Sequence, residues 1–131
     1  MGFVFSSSWG REEKTKPMTE AGERLAFQEL DVYVAAKDFA RLVQSARISD
    51  RELRDQATRA AKSTFCHLCE GLPNSGTAMR RKYFVGADNS LHEAVGAVDL
   101  SEALGAVSAD RSRAIQSLGV RLHQMIRGLM R

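Results

Sequence analysis

Cys66-His67-Leu68-Cys69 is the densest group of chemistry-bearing residues in the chain. CxxC spacing around a histidine has the shape of half a zinc site or of a redox pair. A closed zinc site needs a second pair of ligands, and only His92 and His123 remain, each standing alone in the sequence. A redox pair normally opens a helix behind a strand, whereas this motif falls near the end of a helical segment. The expectation is therefore two small, soft core residues at i and i+3 on an alanine-rich helix. Neither a metal nor any other cofactor is predicted.

Other reaction chemistries are no better served. Carboxylate-bridged di-metal bundles use Glu-x-x-His, and no histidine here has a glutamate three residues before it. His92-Glu93 is followed by Gly96 rather than histidine, so HExxH fails. The turn Gly71–Thr77 lacks the lysine and spacing of a phosphate loop. Ser, His and Asp occur without a strand-turn-helix elbow to hold a nucleophile. No catalytic residue is named, and the chain is not expected to be an enzyme.

The elements that would position these side chains follow from composition and period. The chain has 131 residues, 44% hydrophobic and 27% charged, with proline only at Pro17 and Pro73. Ala, Leu, Arg and Glu outweigh β-branched and aromatic residues, which favours helices. No apolar run approaches the roughly 20 residues of a membrane span. MGFVFSSS lacks the leading charge and length of a signal peptide, and two cysteines make no disulfide framework. A cytoplasmic domain without membrane contact is expected.

Residues 1–24 show no sustained apolar period and read as a flexible arm in which Phe3, Val4, Phe5 and Trp9 stand out; 25–131 read as one bundle domain. The first helix is predicted from about Phe27 to Ala46, with Val32, Ala35, Ala36, Phe39, Val43 and Ala46 on one face. Ser49 and Asp50 are cap candidates for a second helix, with Glu52 placed as in a capping box. That helix turns Leu53, Ala57, Ala60, Ala61, Thr64 and Leu68 inward and ends at Gly71 before a Leu-Pro-Asn-Ser-Gly turn. The third runs from about Thr77 to Leu104, with Phe84, Ala87, Leu91, Ala94, Val95 and Val98 in a stripe. Gly86 and Gly96 inside it suggest close contacts or a kink, and Gly105 a cap. The fourth starts near Ser108 and carries Ile115, Leu118, Leu122, Met125 and Leu129 at bundle spacing. Four amphipathic helices with short connections predict an all-α, antiparallel up-down-up-down four-helix bundle.

Some residues do not fit inward stripes. Phe27, Leu30 and Val34 fall opposite the first helix's core face and are candidates for a subunit interface. Val85, Leu100 and Val120 also point outward. Arg59, Glu70 and Glu93 are predicted to form a structural polar network with Ser63 and Ser90, Arg59 bridging to Glu93 or Glu70. The formal net charge is +3, and the excess lies at the C-terminal end, where five arginines stand against Asp110 alone. Arg113, Arg121, Arg127 and Arg131 are the candidate nucleic-acid contacts; the plain alternative is a solvated face interacting with the helix dipole.

These residues resemble a known family. Gln56, Arg59, Ala60, Ala61 and Ser63, followed by Glu70-Gly71, match the second helix of the four-helix bundle proteins encoded in intervening sequences of bacterial 23S rRNA genes. Tyr83-Phe84, Ser90-Leu91-His92-Glu93 and Leu104-Gly105 are similar to its third helix. Phe27, Leu30, Val32, Tyr33 and Ala36 are similar to the opening of its first. The likeness spans roughly residues 27–105. Where the family has Ile-Pro-x-Asn, this chain has Thr64, Phe65, Cys66 and His67.

The resemblance implies an antiparallel bundle and ring-like homopentamers. A related branch, the accessory variability determinant of diversity-generating retroelements, is a basic pentameric bundle that binds a reverse transcriptase and nucleic acid. Two functions are therefore expected to compete. One is a non-enzymatic homo-oligomeric scaffold or interaction protein. The other is an accessory protein that binds RNA or DNA beside a reverse transcriptase.

Overall fold

Alternation of apolar and polar residues at helical period leaves each segment with one stripe to bury, and four stripes closing on one another suffice. The computed structural model describes residues 23–131; apart from Glu23 and Arg24, the expected N-terminal arm lies outside the described residues. Among them there are no strands. A short 3-10 turn, Ala26–Glu29, precedes α1 (Asp31–Ser45), α2 (Arg51–Gly71), α3 (Thr77–Ala103) and α4 (Ala109–Leu129). Each helix packs on two others, α1 against α2 and α4, and α3 against α2 and α4, with the α2–α3 contact the most extensive. The result is a helical bundle.

The core is continuous. Phe39, Ile48, Leu68, Phe84, Leu91, Ile115, Leu122 and Ile126 are all essentially fully buried, and each such side chain contributes about 1.5–3 kcal/mol. Three buried hydroxyls cost nothing in lost hydrogen bonds. Thr64 Oγ1 donates to the Ala60 carbonyl at 2.9 Å, Ser101 Oγ donates to that of Ala97 at 2.7 Å, and Ser112 Oγ accepts from Gln116 Nε2 at 2.8 Å.

The helix ends are closed by side chains that the sequence places nearby. Asp50 caps α2, accepting from Leu53 N at 3.0 Å, and Ser108 caps α4, accepting from Arg111 N at 3.2 Å. The Ser49–Glu52 capping box does not form. Ser49 N instead donates to the Ala106 carbonyl at 2.9 Å, tying the α1–α2 link to the α3–α4 link. Arg111 Nη1 donates to the Ala46 carbonyl at 3.1 Å, and Arg80 Nη1 to that of Leu72 at 2.7 Å. Two guanidiniums therefore serve carbonyls exposed where α1 and α2 end. Gly105 has φ 76°, the left-handed geometry that suits glycine after α3.

Several sequence expectations are corrected. The first helix starts at Asp31 and not at Phe27, because Leu30 is extended (φ −74°, ψ 142°). Phe27 lies in the 3-10 turn, which is held by Gln28 Oε1 accepting from Leu25 N at 2.8 Å and by an Arg24–Glu29 ion pair at 2.9 Å. On α4 the fully enclosed stripe is Ile115, Gly119, Leu122 and Ile126, while Leu118, Met125 and Leu129 flank it half-buried. Gly86 does sit under a neighbour, the His67 ring, but Gly96 has open space around it and no close contact.

Gly71 and Gly96 give opposite tests. A Cβ at Gly71 would lie 2.8 Å from Phe84 Cε1 and 3.0 Å from Tyr83 Cβ, an atom that moves only with the α3 backbone. Gly71→Ala is expected to lower stability by about 1–2 kcal/mol. Gly96→Ala is expected to raise it by up to about 1 kcal/mol through helix propensity alone. Urea unfolding followed by circular dichroism checks both, and equal signs would contradict the packing described.

Candidate functional site

α2 is too narrow to bury every residue in the Cys66–Cys69 segment. Its enclosed stripe runs Ala57, Ala60, Ala61, Thr64, Leu68 and Gly71, and Cys66 lies about 200° around the helix from Thr64. Cys66 is accordingly exposed and Cys69 half-buried, so the expectation of two core cysteines is corrected. Burial pushes the Cys69 thiol above its ordinary value, and the neighbouring Cys66 and Glu70 push it further. His67 turns away to another task. Its Nδ1 donates to the Ser63 carbonyl at 2.9 Å, and its ring lies over Gly86. Ser63 Oγ and Ser90 Oγ meet at 2.9 Å, linking α2 to α3.

The predicted polar network is rearranged. Arg59, Glu70 and Glu93 are exposed, and Arg59 makes no ion pair with either acid. Gln56 Nε2, not Arg59, donates to Glu93 Oε2, at 3.4 Å. Free arginine rotamers in water gain little from a surface pair, so the link is not enforced.

The histidines expected to stand alone are brought together. Asp88 and His92 share a face of α3 one turn apart, and His123 comes from α4. His123 Nδ1 donates to Asp88 Oδ1 at 2.6 Å, and His92 Nδ1 donates to the Asp88 backbone carbonyl at 2.7 Å. The two rings meet edge to face, with centroids 5.2 Å apart. The Asp88 side chain is 15% exposed, His123 34% and His92 66%, so the group opens from a shielded carboxylate toward solvent. The group is not legible in the sequence, because its helical pair is Asp-x-x-x-His and not Glu-x-x-His, and nothing local pairs position 123 with 88.

The four candidate arginines do not form one surface. Arg113 pairs with Asp110 at 2.9 Å. Arg121 lines an α1–α4 groove of about 590 Å³ with Asp31, Val34 and Asp38 among others. Arg127 and Arg131 instead converge with Arg81, from the start of α3, on a 290 Å³ pocket that Asp88 and Asn89 also line. Arg81 was not among the sequence candidates, because it belongs to a segment whose net charge is close to zero. Leu30 and Val34 are 44% and 41% exposed, whereas Phe27 is half-buried, packing edge to face on Tyr33 at 5.4 Å.

Against known proteins, no family model matches the chain, and no curated protein matches it. No helix of the described residues is long and apolar enough to cross a membrane.

The cysteines separate by exposure. Iodoacetamide at neutral pH is expected to label Cys66 well before Cys69, read by peptide mass spectrometry; equal rates would contradict the burial of Cys69. Cys66→Ser with Cys69→Ser is expected to change stability by less than about 1 kcal/mol, since neither side chain is enclosed.

Proposed function

We propose that the protein is a non-enzymatic, homo-oligomeric four-helix bundle that acts as an interaction or scaffold protein in the cytoplasm, in the manner of the 23S rRNA intervening-sequence proteins it resembles. The arrangement proposed is up-down-up-down, supported by contacts between the end of α2 and the start of α3 and between the start of α3 and the end of α4, where Arg81 Nη1 donates to the Met130 carbonyl at 3.4 Å. A pentamer is the preferred assembly, on the strength of the resemblance. The observation that carries self-association is the exposure of Leu30, at the N-cap of α1, and of Val34 in its first turn, with Val34 lining the α1–α4 groove. That groove offers Asp31 and Asp38 together with Arg121, both signs of charge for a second copy to meet. Phe27, half-buried and packed on Tyr33, is the third residue of the proposed interface.

A second reading is favoured by the meeting of Arg81, Arg127 and Arg131 at one pocket. Three guanidiniums around a 290 Å³ pocket suit a phosphate of RNA or DNA. In a ring the cluster repeats with every subunit and becomes a basic belt. Such a protein is a basic accessory factor, with a reverse transcriptase as its candidate partner. Arg113 and Arg121 are peripheral to that cluster.

Light scattering at micromolar concentration is expected to give the mass of several chains. Leu30→Asp is expected to give a monomer with helicity unchanged, because the charge falls on the interface and not in the core. A monomeric wild type would remove the scaffold reading. For nucleic acid, filter binding over a salt series is expected to show sequence-tolerant binding, with a salt slope reduced by about 2 in Arg81→Glu with Arg127→Glu. No binding at low salt would remove the second reading.

A further inference from the structure

We propose that Asp88, His92 and His123 bind one divalent transition-metal ion of borderline softness, of which zinc is the reference case, and so tie α3 to α4. Each residue offers one ligand atom, and these atoms lie within 4.8 Å of one another. The donor set decides the class of ion. Two imidazole nitrogens and one carboxylate oxygen suit zinc, cobalt or nickel, whereas calcium and magnesium require mostly oxygen.

The spacing is close to what an ion needs. Bonds of about 2.0–2.2 Å in tetrahedral geometry set ligand atoms about 3.4 Å apart. Asp88 Oδ1 lies 2.6 Å from His123 Nδ1 and 3.8 Å from His92 Nδ1, distances that bracket this value. Closing the set takes an opening of the Asp88–His123 pair and an approach of His92 to both partners, all three ligand atoms starting within 4.8 Å of one another. His92, two-thirds exposed, makes that approach by side-chain rotation, exchanging its hydrogen bond to the Asp88 carbonyl for the ion.

The protons also balance. In the hydrogen-bonded network each imidazole carries its proton on Nδ1, one on the Asp88 carboxylate and one on the Asp88 carbonyl. An ion taking those nitrogens displaces each Nδ1 proton, which moves to Nε2 or, where Nε2 already carries one, leaves to solvent. The ion replaces hydrogen bonds that Asp88 already uses to orient both rings, which limits the ordering cost of binding. Three protein ligands leave at least one position for water or an anion.

The test uses the full chain, extracted with chelator and dialysed, then titrated calorimetrically with zinc chloride. Cobalt chloride, read by visible absorption, serves as a second probe. One ion per chain is expected, with a rise in melting temperature on zinc addition. His92→Ala and His123→Ala are each expected to weaken binding about 10-fold or more and to abolish the rise in melting temperature. Cys66→Ser with Cys69→Ser is expected to bind as wild type does. His92 is exposed, so its variant keeps the fold, and circular dichroism checks this. Absence of stoichiometric binding, binding that survives in His92→Ala and His123→Ala, or binding lost with the two cysteines would each overturn the proposal. It stands apart from the assembly and polyanion readings, whose failure leaves these titrations unchanged.

Discussion

The close approach of α2 and α3 is the constraint on which the other contacts rest. Ala57, Ala60, Ala61 and Gly71 keep much of the inner stripe of α2 shallow, so α3 can come near its backbone. Gly71 receives the Phe84 ring and Gly86 receives the His67 ring. Each glycine therefore acts as a socket for a ring from the opposite helix. The register this sets brings Ser63 to Ser90 and Gln56 to Glu93. With α3 fixed against α2, its opposite side turns Asp88 and His92 toward α4, where His123 meets them.

Charge in this protein serves backbone before it serves partners. Arg80 donates to the Leu72 carbonyl at the end of α2, Arg111 to Ala46 beyond α1, and Arg54 to Ile48 at 3.0 Å. A carbonyl left bare at a partly buried helix end costs about 1–3 kcal/mol, so these guanidiniums are structural parts of the links. This is why a count of arginines overstated the basic surface. Arg113 is paired with Asp110 and Arg111 is held at the Ala46 carbonyl, and of Arg121, Arg127 and Arg131 only the last two share a pocket.

What was legible in the sequence was what depends on local period. The bounds of α2, α3 and α4 fall where the caps Asp50 and Ser108 and the glycines Gly71 and Gly105 put them. The inward stripes of α1 and α2 were readable because alanine and large apolar residues alternate cleanly with charge. The start of α1 was not, since Phe27 continues the apolar period into a turn that Gln28 and Arg24 hold by hydrogen bonds. On α4 the stripe was ambiguous between Met125 and Ile126, adjacent apolar residues either of which continues the period. The burial of Ile126 depends on where neighbouring helices lie. The exposure of Cys66 follows from its angle to Thr64, which sets it outside the stripe.

Sites made by two helices are invisible to spacing rules that examine one helix at a time. Asp88 and His92 satisfy such a rule at i, i+4, but the pair gains its meaning from His123, 35 residues away on α4. Asp88 also joins two features that the sequence kept apart. Its carboxylate holds His123, and the same residue lines the pocket of Arg81, Arg127 and Arg131. A negative charge at the wall of such a pocket opposes the binding of an anion. Asp88 Oδ1 is turned to His123 at 2.6 Å, so that oxygen serves the histidine cluster. The histidine cluster and the arginine pocket therefore share one residue, which spacing along a single helix could not have placed in both.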